Sequence, residues 1–150
     1  MSQQLPLNLR LKDASSFGNF FPGPNREVLE QLRASVVKAA TQTGAATSML
    51  YLWGAEGSGR THLLQAACRL AQELGVAPAY VPLADVMALT PSLLEGIEAM
   101  PLVCLDDVER VAGKPEWEAA LFSVVERMRA ASGMLAIGAG APPDRPGLKL

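Results

Sequence analysis

Apolar positions along this chain follow two alternating rhythms. Met49-Leu50-Tyr51-Leu52-Trp53, Ala79 to Val81, Leu102-Val103-Cys104-Leu105 and Met134 to Ile137 are short runs with little or no polar interruption. Runs of that length without alternation predict strands covered on both faces, as in a parallel sheet. Helical spacing lies between them. Val28, Leu29, Leu32, Val36 and Ala39 recur at intervals of three and four behind Asn25, a predicted N-cap, and end at the polar loop containing Gly44. A second helix is predicted from about Arg60 to Leu74, with Gly75 as its stop. Asp85 is expected to cap a short helix that Pro91 interrupts or restarts, and Glu116 to Ala131 predicts the last helix, with Gly133 behind it.

Strand and helix alternating in this way call for right-handed crossovers, so the expected fold is a three-layer α/β domain with a parallel sheet. Residues 1–24 hold Pro6, Gly18, Pro22, Gly23 and Pro24 and predict an extended arm, which leaves 25–150 as the domain proper. After Gly138 come Gly140, Pro142, Pro143, Pro146 and Gly147, and no closing element is evident before Leu150.

Composition narrows the class. A length of 150 residues with 49% hydrophobic and 19% charged positions fits one globular domain with a real core and excludes disorder and fibrous repeats. No apolar run reaches the roughly 18 residues that span a bilayer, and no leader pattern opens the chain, so a cytoplasmic protein is expected. The net charge of −2 and pI near 5.4 provide little of the basic field that non-specific nucleic-acid binding needs, so contact with DNA is expected to be indirect. Cys68 and Cys104 lack CxxC spacing and read as reduced core residues, and the single histidine, His62, leaves no histidine-based metal site.

Gly54-Ala55-Glu56-Gly57-Ser58-Gly59-Arg60-Thr61 matches GxxxxG[KR][ST], directly after a predicted strand and before a predicted helix. In that context the glycines let backbone N–H groups turn in around phosphates, and the helix N-terminus adds its partial positive charge. Thr61 is the expected Mg²⁺ ligand. Arg60 stands where lysine is usual; its charge can meet a β-phosphate, but its planar guanidinium is not interchangeable with an ammonium. Asp106 and Asp107 close the third apolar run in the manner of a Walker B strand. Asp106 is expected to hold Mg²⁺ through water, and Asp107 to face the attacking water as the catalytic group, one methylene shorter than the usual glutamate.

These motifs, together with Ser16-Phe17-Gly18-Asn19-Phe20, Gly23, Pro24 and Asn25, and with Gly59 to Ala66, Val108-Glu109 and Trp117-Glu118, resemble the DnaA branch of the AAA+ family over nearly all of the chain. The resemblance implies ADP or ATP held by Gly54, Glu56, Gly57, Ser58, Gly59, Arg60, Thr61 and His62, with Phe20, Phe21 and Asn25 bordering the base. Gln4-Leu5-Pro6-Leu7-Asn8-Leu9 resembles the peptide by which regulatory members of this branch bind the DNA polymerase sliding clamp (the β subunit). Gln4, Leu5, Leu7 and Leu9 would be its contacts, an extended peptide offering alternate apolar side chains to a groove. The resemblance thus implies a regulator of replication initiation that promotes hydrolysis of ATP held by DnaA. Gly138-Ala139-Gly140 stands where the family carries a polar phosphate sensor. With Arg60 and Asp107, this implies retention of a diphosphate and weak hydrolysis of the protein's own nucleotide. The resemblance also implies a fifth strand, an arginine finger and a helical lid that the 150 residues do not supply. The outer edge of the Met49–Trp53 strand is therefore expected to be bare and prone to self-association. A DnaA-type initiator or helicase loader, and a P-loop phosphotransferase, remain as alternative readings.

Overall fold

A computed structural model describes residues 26–41, 48–54, 59–86, 88–140 and 148–149. Its elements are α1 (Arg26–Thr41), β1 (Ser48–Trp53), α2 (Arg60–Glu73), β2 (Pro78–Pro82), α3 (Leu83–Val86), β3 (Leu102–Asp106), α4 (Pro115–Ala131), β4 (Met134–Ala139) and β5 (Leu148–Lys149). Short 3₁₀ turns at Pro91–Leu94, Ile97–Ala99 and Val108–Val111 flank β3. The strands form a parallel sheet in the order β2-β3-β4-β1-β5.

The period of two within a strand decides which helix each residue meets. Leu102 and Cys104 of β3 and Met134 and Ala136 of β4 face the layer formed by α1 and α2. Val103, Leu105 and Leu135 face the opposite layer, with Trp117, Val124 and Met128 of α4. Both faces are covered, which is why these strands read as uninterrupted apolar runs. In α1, Leu29, Leu32 and Val36 turn inward at the predicted spacing. Ala66, Ala67, Cys68 and Ala71 are small and fully buried, so α2 lies close against the sheet.

Two local expectations shift. The helix after β2 begins at Leu83, so Asp85 sits inside its first turn rather than capping it. β2 runs directly into that turn, and Leu83 and Val86 are buried as its apolar face. At the C-terminus of α4 the left-handed residue is Ser132 (φ 64°), one position ahead of Gly133. Gly133 lies too tightly against the chain for a side chain, since a Cβ there would come 3.1 Å from the Pro101 carbonyl oxygen.

A larger correction concerns the sheet edge. The place beside β1 expected to be empty of a fifth strand is taken by β5, which pairs in parallel with Leu52 and Trp53. An apolar strand end with open N–H and C=O groups takes the nearest chain able to pair with it, and residues 148–149 supply that chain here.

Candidate functional site

Strand parity and helix entry together build the site. Asp106 lies two residues past Cys104, so it turns to the α2 face of the sheet, where the first turn of α2 begins. Gly138 lies two residues past Ala136 on β4 and shares that face. Gly59 precedes α2 in the left-handed conformation (φ 97°), and among the described residues no side chain caps the helix start. That leaves an uncapped N-terminus of a 14-residue helix at the end of the glycine-rich segment, the local chemistry that suits an anion.

Asp106 is fully buried and accepts four hydrogen bonds. Its Oδ1 accepts from Arg60 Nε at 3.0 Å and from the Asp107 backbone N–H at 3.0 Å. Its Oδ2 accepts from the Thr61 hydroxyl at 2.6 Å and from the Tyr80 hydroxyl at 2.9 Å. Arg60, only 8% exposed, also donates through Nη2 to Asp107 Oδ1 at 2.6 Å and through Nη1 to the Gly54 carbonyl at 3.2 Å. One guanidinium therefore ties the end of β1 to both acids at the end of β3. Charge-assisted, nearly planar contacts of this kind suit arginine and not lysine.

Asp107 has φ 60°, the left-handed region, and begins the 3₁₀ turn at Val108–Val111. Aspartate tolerates that conformation better than most residues. Burial, followed by the Asp106 charge, raises the Asp107 pKa above the usual carboxylate value, while Arg60 acts in the opposite direction. Burial and then Asp106 likewise hold the Tyr80 hydroxyl far above its ordinary range, so Tyr80 stays a proton donor to the acid. Glu109 fastens the end of β4 by accepting from the Gly140 N–H at 2.9 Å.

The expected site residues thus fall into three groups. Gly54, Gly59, Arg60, Thr61, Asp106 and Asp107 come together around one cluster, with His62 half-buried next to it on α2. Glu56, Gly57 and Ser58 of the loop, Phe20, Phe21 and Asn25 of the base side, and Gln4, Leu5, Leu7 and Leu9 of the arm lie outside the described residues. Tyr80 was not expected. Its signal was available, because a tyrosine in an otherwise apolar buried strand needs a partner for its hydroxyl.

Thr61 and Asp106, the pair expected at Mg²⁺, meet directly, yet the cluster does not fit the ion as it stands. Every acceptor position on Asp106 is filled by a donor of the chain itself. Among the described residues no helix is long and apolar enough to cross a membrane.

A parallel sheet covered by helices on both faces, with α2 following the glycine-rich segment after β1 and paired acids ending β3, is the three-layer α/β fold of P-loop NTPases. No family model matches the sequence. Among solved structures the chain is similar to a DNA replication initiation factor, with 23% identity and a TM-score of 0.76 over 92% of this chain and 45% of that one. It is similar also to AMPPCP-bound DnaA from Aquifex aeolicus, with 24% identity and a TM-score of 0.72 over 89% of this chain and 44% of that one. A third is the replication initiator DnaA bound to AMPPCP and single-stranded DNA, with 24% identity and a TM-score of 0.73 over 92% and 46% of the respective chains. The chain spans less than half the length of these three proteins.

Proposed function

We propose that this protein binds an adenine nucleotide at residues 54–61 and acts in the control of replication initiation, as a regulator of the Hda type. The observation carrying the first part is the Thr61–Asp106 contact at 2.6 Å, which brings the end of the glycine-rich loop onto the acid-bearing strand. The start of α2, directly after that loop in sequence, supplies partial positive charge for phosphates. Structures of similar fold carry AMPPCP, an adenine nucleotide analogue, which favours ADP or ATP as the ligand.

The regulatory part rests on the 4–9 peptide and its likeness to a clamp-binding segment. On this reading the protein sits on the sliding clamp and acts on ATP held by DnaA, its own nucleotide having a structural role. Asp107 supports weak intrinsic turnover, because the carboxylate that would orient a water is engaged by Arg60 at 2.6 Å.

Calorimetric titration with ADP and ATP tests the first part. Saturable binding with a dissociation constant in the micromolar range or tighter is the expected result, corresponding to about −8 kcal/mol. Absence of binding by a folded preparation refutes it. For the second part, the sliding clamp is expected to retain the wild-type protein and to lose it on Leu7→Ala, since anchor truncation commonly costs about 2 kcal/mol or more, near thirtyfold. Equal retention of both proteins would shift the reading to an initiator or helicase loader.

A further inference from the structure

The sequence marks Arg60 as an unusual P-loop residue, and the resemblance marks Gly138-Ala139-Gly140 as the place of a missing polar side chain. In the structure these two departures belong together. A Cβ on Gly138 would stand 2.7 Å from Asp106 Oδ1, 2.7 Å from Leu64 Cδ1 and 3.1 Å from Arg60 Cδ. Gly138 is not among the positive-φ residues, so space and not backbone freedom explains the glycine. The vacated volume lets the arginine stem pass over β4 and lay its guanidinium across both acids.

We propose that the site takes its nucleotide free of magnesium, with Arg60 as the resident counter-cation of Asp106 and Asp107. This rests on the nucleotide reading above and specifies the form of the ligand, a free nucleoside polyphosphate. A carboxylate offers about four lone-pair positions, and on Asp106 they are taken by Arg60, the Asp107 N–H, Thr61 and Tyr80. Magnesium keeps several waters and demands near-octahedral geometry, so each water it turned toward Asp106 would have to displace one of those donors. Displacing Arg60 from Asp106 would also take one of two carboxylate partners from a guanidinium that is 8% exposed, which is costly for a buried cation. The Gly54 carbonyl holds the third side of the same guanidinium and fixes it at the start of the loop. Phosphate charge is met instead by the N-terminus of α2.

The test compares ADP affinity in excess magnesium and in excess EDTA, for wild type and for Arg60→Lys, with Mn²⁺ electron paramagnetic resonance on the same samples. Wild type is expected to bind ADP at least as tightly in EDTA as in excess magnesium, which draws ADP into a complex of its own, and to leave the Mn²⁺ signal of a matched Mn²⁺–ADP solution unchanged. Lysine lacks the planar fork that spans Gly54, Asp106 and Asp107, so Arg60→Lys is expected to bind at least about tenfold more tightly with magnesium and to take up Mn²⁺. A tenfold loss of wild-type affinity in EDTA overturns the proposal and leaves the nucleotide reading intact. Indifference to magnesium in Arg60→Lys removes Arg60 from the role. Failure of ADP to bind wild type in either buffer refutes the nucleotide reading itself. Should Arg60→Lys not fold, the wild-type comparison and the Mn²⁺ signal still decide.

Discussion

Asp106→Ala is expected to cost about 3–5 kcal/mol of stability, because it takes one of two carboxylate partners from a buried guanidinium and leaves three further donors without their acceptor. For a domain of this size that lowers the thermal midpoint by roughly 10–15 °C. The effect is large for a residue that looks, in sequence, like a metal ligand of no structural importance. Asp106 is fully buried and is the common acceptor for α2 through Arg60 and Thr61, for β2 through Tyr80, and for the turn after β3 through the Asp107 N–H. Its removal leaves each of those elements with an unmet donor. Combining Asp106→Leu with Arg60→Met is expected to recover part of the loss, since an apolar pair of similar volume avoids the stranded charge. Chemical denaturation of the single and double variants measures the coupling. A double variant as unstable as the sum of the two singles would show that the ion pair contributes nothing beyond independent packing.

Gly138→Val is the second substitution with a large expected effect, about 2–4 kcal/mol, above the range for adding one methylene to a packed core. The cause is contact and not conformation. The nearest atoms to a new Cβ are Asp106 Oδ1 and Leu64 Cδ1, both at 2.7 Å, and Asp106 is held by four hydrogen bonds that resist its displacement. Gly138→Ala should show the same sign at about 1–3 kcal/mol. Thermal unfolding of Gly138→Ala in the Arg60→Lys background is the informative comparison: a thinner stem without the fork frees space, so the penalty there should shrink. An undiminished penalty would place the clash on Leu64 alone.

Much of this was legible in the chain. The four predicted strands and the helices after β1 and β3 stand where the apolar runs and spacing put them, because parallel strands covered on both faces leave no polar interruption. The acid pair ending β3 was likewise readable, since that motif is defined by neighbours in sequence. What escaped was direction. The motif suggested that Arg60 points toward phosphate, whereas it turns to Asp106 and Asp107, because Gly138 on another strand makes that path open. Tyr80 escaped for a related reason. Its register opposite Cys104 puts it on the face that Asp106 also occupies, and a register between strands is fixed only by the assembled sheet. β5 is too short for any periodicity to mark, and pairing with β1 alone defines it.

Cys68 on α2 and Cys104 on β3 bring their sulfur atoms to 3.7 Å, both fully buried, with the Cys104 thiol held well above its ordinary pKa by its hydrogen bond with Cys68 and by burial. A thiol reagent can reach either sulfur only after the first long helix behind the loop has parted from the sheet, since these atoms fill the seam between them. The same parting would pull Arg60 and Thr61 off Asp106, two residues along the strand from Cys104. A modified pair of cysteines is therefore a chemical record, kept by the molecule itself, that the acids and their cation came apart while the reagent was present.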